Sequence, residues 1–86
     1  MSGHEDALIV RYVEENSRRP GPADARLKDW GIELWALLSY LDRAVAGNVA
    51  QAAADYEIPV EAVEAARAYY RRHRQPLDAR IAISAA

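Results

Sequence analysis

The chain has 86 residues, 51% of them apolar and 28% charged, with 11 basic against 13 acidic side chains and a net charge of −2. That composition describes one small folded domain and excludes an intrinsically disordered chain. The absence of cysteine excludes a disulfide scaffold, a thiolate zinc site and a cysteine nucleophile, and the longest apolar stretch, Leu34 to Leu41 broken by Ser39, is too short to span a bilayer.

Residues 1–6 are polar and read as loose, without the basic and apolar segments of a secretory signal, so a cytoplasmic protein is expected. Ala7 to Val13 (Ala-Leu-Ile-Val-Arg-Tyr-Val) is short and rich in β-branched and aromatic residues, which predicts a strand. Asn16 to Pro22 carries two prolines and a glycine and must be a loop. Ile32, Glu33 and Leu34 alternate like a short strand, after which the pattern changes to helical. Leu34, Leu38, Leu41 and Val45 form one stripe, widened by Trp35 and Leu37, on a helix expected to run from Leu34 to about Ala46. Gly47 ends it and Asn48 caps a second, short helix from Val49 to about Tyr56. Glu57 and Ile58 turn the chain, Pro59 opens a third helix expected to reach about Arg74, and Pro76 restarts the chain into a last helix over Leu77–Ala86. The fold class expected is mainly α: a small bundle of four helices with a short N-terminal β element, in which residues 1–31 form a strand-and-loop arm and 32–86 the helical part of one domain.

The most specific local signal surrounds Ile58. A helix-turn-helix needs a small residue in its first helix, an apolar residue in the turn and apolar residues along the inner face of the second helix. Ala53 is the small residue, with Ile58 five, Val63 ten and Ala66 thirteen positions later, and Ala52 and Tyr56 complete the inner face. The turn position often held by glycine is Glu57. A helical wheel turns Val63, Ala66 and Tyr70 inward and Glu61, Glu64, Ala65, Ala68, Arg71 and Arg72 outward. The cluster Arg67, Arg71, Arg72 and Arg74, interleaved with Tyr69, Tyr70 and His73, has two readings: a nucleic-acid patch, or cations that favour a helix C-terminus opposite Glu61 and Glu64 at its N-terminus.

Catalytic signals are weak. Ser17, Ser39 and Ser84 lack an elbow motif and a nearby base, no glycine-rich phosphate loop is present, and His73 falls near the inner face of its helix. His4, Glu5 and Asp6 sit on a terminus where specific metal sites rarely form. The expectation is a protein that is not an enzyme, with no cofactor and no metal. Trp30 and Trp35 serve either a core or an interface. A chain of this length buries only about 60–65% of its unfolded surface, which favours a partner or a second copy. A homodimer is expected, with Leu8, Val10, Trp30, Ile32 and Trp35 at the interface.

Ala53-Ala54-Asp55-Tyr56-Glu57-Ile58-Pro59, then Val63, Ala66-Arg67-Ala68-Tyr69-Tyr70, His73 and Leu77-Asp78-Ala79-Arg80-Ile81, resemble the bacterial domain-of-unknown-function family 433, an antitoxin-like family of the VapB type. The resemblance covers about residues 30–81. Trp30-Gly31-Ile32-Glu33-Leu34-Trp35 stands where that family has a Gly-Thr-Arg-Ile-x-Val element, and the Gly-Thr-Arg is absent. The resemblance implies a homeodomain-like core, a β element used in dimerisation, and an antitoxin that pairs with a PIN-like ribonuclease and binds its own promoter DNA. Arg80, inside the matched closing segment, is then the arginine expected to meet the nuclease carboxylates. The alternatives are a stand-alone helix-turn-helix DNA-binding regulator and a dimeric adaptor that binds no DNA.

Overall fold

The structure, a computed structural model, describes residues 3–85. Its elements in chain order are α1 (Gly3–Tyr12), β1 (Val13–Glu14), a 3-10 turn (Pro22–Asp24), β2 (Arg26–Leu27), α2 (Leu34–Arg43), α3 (Val49–Tyr56), α4 (Val60–Arg72) and α5 (Arg74–Ala85). The fold is mainly α with a short β element, as the patterning predicts, but it has five helices among the described residues rather than four.

The extra helix is the largest correction. The strand expected at Ala7–Val13 is helical through Tyr12, and only Val13–Glu14 is extended. Glu5 and Asp6 lie in its first turn and Arg11 in its last, the charge order that suits a helix dipole. Packing decides the rest. α1 lies chiefly against α4, and Leu8, Ile9 and Tyr12 pack onto the core, so a tertiary contact overrides local β-propensity. The loose terminus expected at 1–6 is helical from Gly3, with residues 1 and 2 outside the described residues.

β1 and β2 pair antiparallel, Val13 opposite Leu27 and Glu14 opposite Arg26. A tight turn then brings the chain back: Gly31 N–H donates to Leu27 O at 2.9 Å, Leu27 N–H to Ile32 O at 2.8 Å and Leu34 N–H to Ala25 O at 3.0 Å. The strand expected over Ile32–Leu34 amounts to a single bridge between Arg26 and Glu33. Val13, Ala25 and Leu27 belong to the same core cluster as the helices, so the strand-and-loop segment contributes to the one core.

α2 stops at Arg43, three residues short of the expected end, because Ala46 and Gly47 both take positive φ (53° and 83°). Asn48 caps α3, its Oδ1 accepting from the Gln51 N–H at 3.0 Å. α3 closes on Glu57 in the left-handed region (φ 58°, ψ 47°), with Ile58 N–H donating to Ala53 O at 3.0 Å and Glu57 N–H to Ala54 O at 3.2 Å. This is the two-bond helix ending usually built on glycine. Pro59 is extended and stands just before α4. α4 ends at Arg72, because His73 leaves helical geometry (φ −136°, ψ 45°), and Arg74 already belongs to α5. Pro76 therefore lies inside the first turn of α5, where a missing N–H costs nothing. The expected last helix starts three residues early, and its end at Ala86 lies outside the described residues.

Leu27, Leu34, Leu37, Val63 and Leu77 are completely buried at the centre. Each such side chain contributes about 1.5–3 kcal/mol relative to exposure. Ala52, Ala53, Ile58, Val63 and Ala66 are all buried, so the helix-turn-helix spacing corresponds to real packing of α3 on α4. Ala65 and Ala68, expected to face outward, are 0% and 1% exposed. They share a stripe with Arg72, which is bonded to α1, and their small size lets that helix approach. Tyr69, not Tyr70, is the buried tyrosine of the pair. Its ring lies 4.4 Å from that of His73.

Candidate functional site: the outer ridge of α4 and the cleft beside it

With α1 on one flank and α3 on the other, α4 presents a narrow exposed ridge of Val60, Glu64, Arg67 and Arg71, at spacings of four, three and four. Val60 is 44% exposed. The arginines of this region are paired. Arg67 meets Glu64 at 3.5 Å and Arg71 meets Glu5. Arg72 bonds Asp6 at 2.6 Å and approaches Glu5 at 3.7 Å. The acidic first turn of α1 thus covers the basic end of α4. All these groups are partly open to solvent, so each pair contributes only about 0–1 kcal/mol. Their larger effect is on the field, since each cation has a carboxylate beside it.

Past the ridge, the C-terminal parts of α2 and α4 and the start of α5 enclose a cleft of about 490 Å3. Leu38, Leu41 and Ile81 supply its apolar surface, and Arg43, Arg67, Arg71 and Arg74 stand around it with Asp42 and Asp78. Tyr70 also lines it, donating from its hydroxyl to Asp78 Oδ1 at 2.8 Å, with the Arg74 guanidinium 5.7 Å from its ring centre. The Asp78 hydrogen bond, then burial, raises the Tyr70 phenol above its ordinary value. Tyr40, bonded to Asp55, is raised in the same way, and Tyr56 and Tyr69 are raised by burial. These phenols therefore stay protonated at neutral pH. Among the described residues no three His, Asp or Glu side chains converge as metal ligands would.

Of the four arginines read from the sequence as a nucleic-acid patch, the structure brings Arg67, Arg71 and Arg74 to one cleft and turns Arg72 to α1. The interface candidates do not gather in one place. Leu8 packs inward, while Val10 is 70% exposed and its carbonyl accepts from Lys28 Nζ. Trp30 is 39% exposed and stacks on Tyr12 with centroids 6.3 Å apart. Ile32 is half-buried against the core. Trp35 and Arg80 meet each other: the guanidinium lies 4.4 Å over the indole, donates to Asp24 Oδ1 at 3.4 Å and contacts Ser84 Oγ. Trp35 Nε1 donates to Glu33 Oε2 at 3.0 Å. Arg80 is thus occupied inside the fold. Sequence reasoning missed Arg43, whose only local signal is a basic residue in the last turn of α2.

Comparison with family models, with curated proteins and with solved structures returns no match.

Proposed function

We propose that the chain is a cytoplasmic binding protein of the antitoxin type, without catalytic activity, that holds a PIN-like ribonuclease through the outer ridge of α4. The pairing of the α4 arginines supports this reading. A phosphate backbone binds by finding free cations and releasing their counterions. Here it would have to displace Glu64, Glu5 and Asp6 and pass the exposed Glu61. A protein surface carrying both signs can instead exchange pairs with this ridge and cover Val60. A nuclease site is rich in carboxylates, and arginine can bond one carboxylate through two parallel hydrogen bonds. Since Arg80 is held by Asp24 and Trp35, Arg67 and Arg71 are the residues that reach the partner.

The test is co-expression with a nuclease encoded beside this chain. The wild type should protect the cell and co-purify with the nuclease. Arg67→Ala with Arg71→Ala should cost about 2–5 kcal/mol of binding and restore toxicity. Protection by the double variant would overturn the role of the ridge, and the lack of any complex with the wild type would overturn the reading itself. The helix-turn-helix packing of Ala53, Ile58, Val63 and Ala66 favours a second reading, a DNA-binding regulator. It requires binding to a promoter duplex that weakens steeply with salt. We further propose a homodimer through Val10 and Trp30, the large apolar side chains exposed on and beside α1. Sedimentation at micromolar concentration should show a dimer, and a monomer of 9.6 kDa would overturn it.

A further inference from the structure

Arg43 and Arg74 differ from the arginines of the ridge. Among the described residues, Arg67, Arg71 and Arg72 each have a carboxylate within 4.0 Å, and Arg43 and Arg74 have none. Both stand at the same cleft, Arg43 from the end of α2 and Arg74 from the start of α5. Four arginines against two aspartates give the lining a formal charge of +2. Two arginines without ion-pair partners on separate helices around one cleft are an arrangement suited to a small anion, which each guanidinium can bond through a fork of N–H groups.

The rest of the cleft describes the body that carries the anion. Leu38, Leu41 and Ile81 offer an apolar surface, and the Tyr70 ring lies beside Arg74. Asp42 and Asp78 repel a second phosphate but accept hydrogen bonds from hydroxyl groups. A volume of about 490 Å3 falls within the roughly 300–1,000 Å3 typical of small-molecule sites. An anion, hydroxyl groups and an apolar part together are the features of a nucleoside monophosphate. We propose that the cleft between α2, α4 and α5 binds a nucleoside monophosphate, with the phosphate on Arg43 and Arg74, the sugar hydroxyls on Asp42 and Asp78, and the base on Leu38, Leu41 and Ile81. The ligand bridges α2 and α5. The site adjoins the α4 ridge and shares Arg67 and Arg71 with it, but it stands whether or not a nuclease is the partner.

Calorimetric titration of the full chain tests the proposal, with AMP, adenosine and inorganic phosphate as probes. AMP should bind saturably below about 1 mM, with adenosine and inorganic phosphate each at least about tenfold weaker. Arg43→Ala and Arg74→Ala replace exposed side chains and should each weaken AMP at least about fivefold, while Arg18→Ala, outside the cleft, leaves it unchanged. Circular dichroism of each variant confirms folding. No saturable AMP binding, equal affinity for AMP and inorganic phosphate, or undiminished binding by both cleft variants would each overturn the proposal.

Discussion

α5 buries Leu77 completely and fixes Arg80 between Asp24 and the Trp35 ring, whereas α1 buries none of its residues fully and is held by half-buried Leu8, Ile9 and Tyr12 and by the ion pairs of Glu5 and Asp6 with α4. Both helices flank α4, and both are terminal. Their attachments differ in kind. An apolar side chain removed from water holds regardless of salt. Exposed ion pairs are weak, screened, and readily exchanged for other partners. α5 is therefore a structural part of the core, and α1 is a cover over Ala65, Ala68 and the basic end of α4. Opening α1 gives up the half-buried Leu8, Ile9 and Tyr12 but none of the fully buried side chains of the core, so α1 should open before the core unfolds.

The largest expected effect tests the α5 side. Leu77→Ala should destabilise the protein by about 2–5 kcal/mol, which lowers Tm by more than about 10 °C in a domain of this size. Leu8→Ala, on half-buried α1, should cost less than half as much in the same thermal melt. Equal costs would remove the distinction between the two helices. The ion pairs come next. Glu5→Gln with Asp6→Asn should lower stability by at most about 1 kcal/mol for each ion pair lost, and by nothing measurable in about 1 M salt. Hydrogen exchange should show the amides of α1 losing protection in that variant while those of α2 and α4 keep theirs. A uniform loss across all the helices would mean that α1 is not a separate unit.

The same contrast explains what was legible in the sequence. α2, α3 and α4 announce themselves locally: the Leu34–Leu38–Leu41 stripe, the Asn48 cap and the Ala53–Ile58–Val63–Ala66 spacing all act within a few turns of chain. α1 does not, because Leu-Ile-Val-Arg-Tyr-Val reads as a strand until Ala65 and Ala68, more than fifty residues on, give it a face to lie against. For the same reason a wheel drawn on α4 alone turns those alanines outward, since it shows one buried face and cannot see a second helix. Half of the candidate site is similarly non-local. Arg67, Arg71 and Arg74 share one segment, whereas Arg43 joins them only through the fold. Arg80 was visible as an arginine, but its partner Asp24 lies 56 residues earlier.

The smallest expected effect is a pH dependence that separates the polar tether of α5 from the salt-sensitive tether of α1. The Tyr70 hydroxyl on α4 donates to Asp78 on α5, and that bond, with burial, raises the phenol above its ordinary 10.0. A bond of this kind needs the phenol proton. Below pH 10, folded and unfolded chains both keep it, and the contribution is present in full. Above pH 10 the unfolded chain gives up the proton first, so the unfolded state gains and stability falls as pH rises toward the folded value. Tyr70→Phe deletes the donor and should make the fall in stability above pH 10 shallower than in the wild type. The slope should not vanish, because Tyr40, Tyr56 and Tyr69 are raised as well. Tyr40→Phe, which cuts the bond from α2 to Asp55 on α3, should flatten the slope in the same sense and leave α5 alone. Denaturant melts across this range check the slope, and hydrogen exchange of α5 in each variant checks the location. If Tyr70→Phe leaves the slope and α5 protection unchanged, the Tyr70–Asp78 bond does not tether the helix, and Leu77 and Arg80 hold it without help.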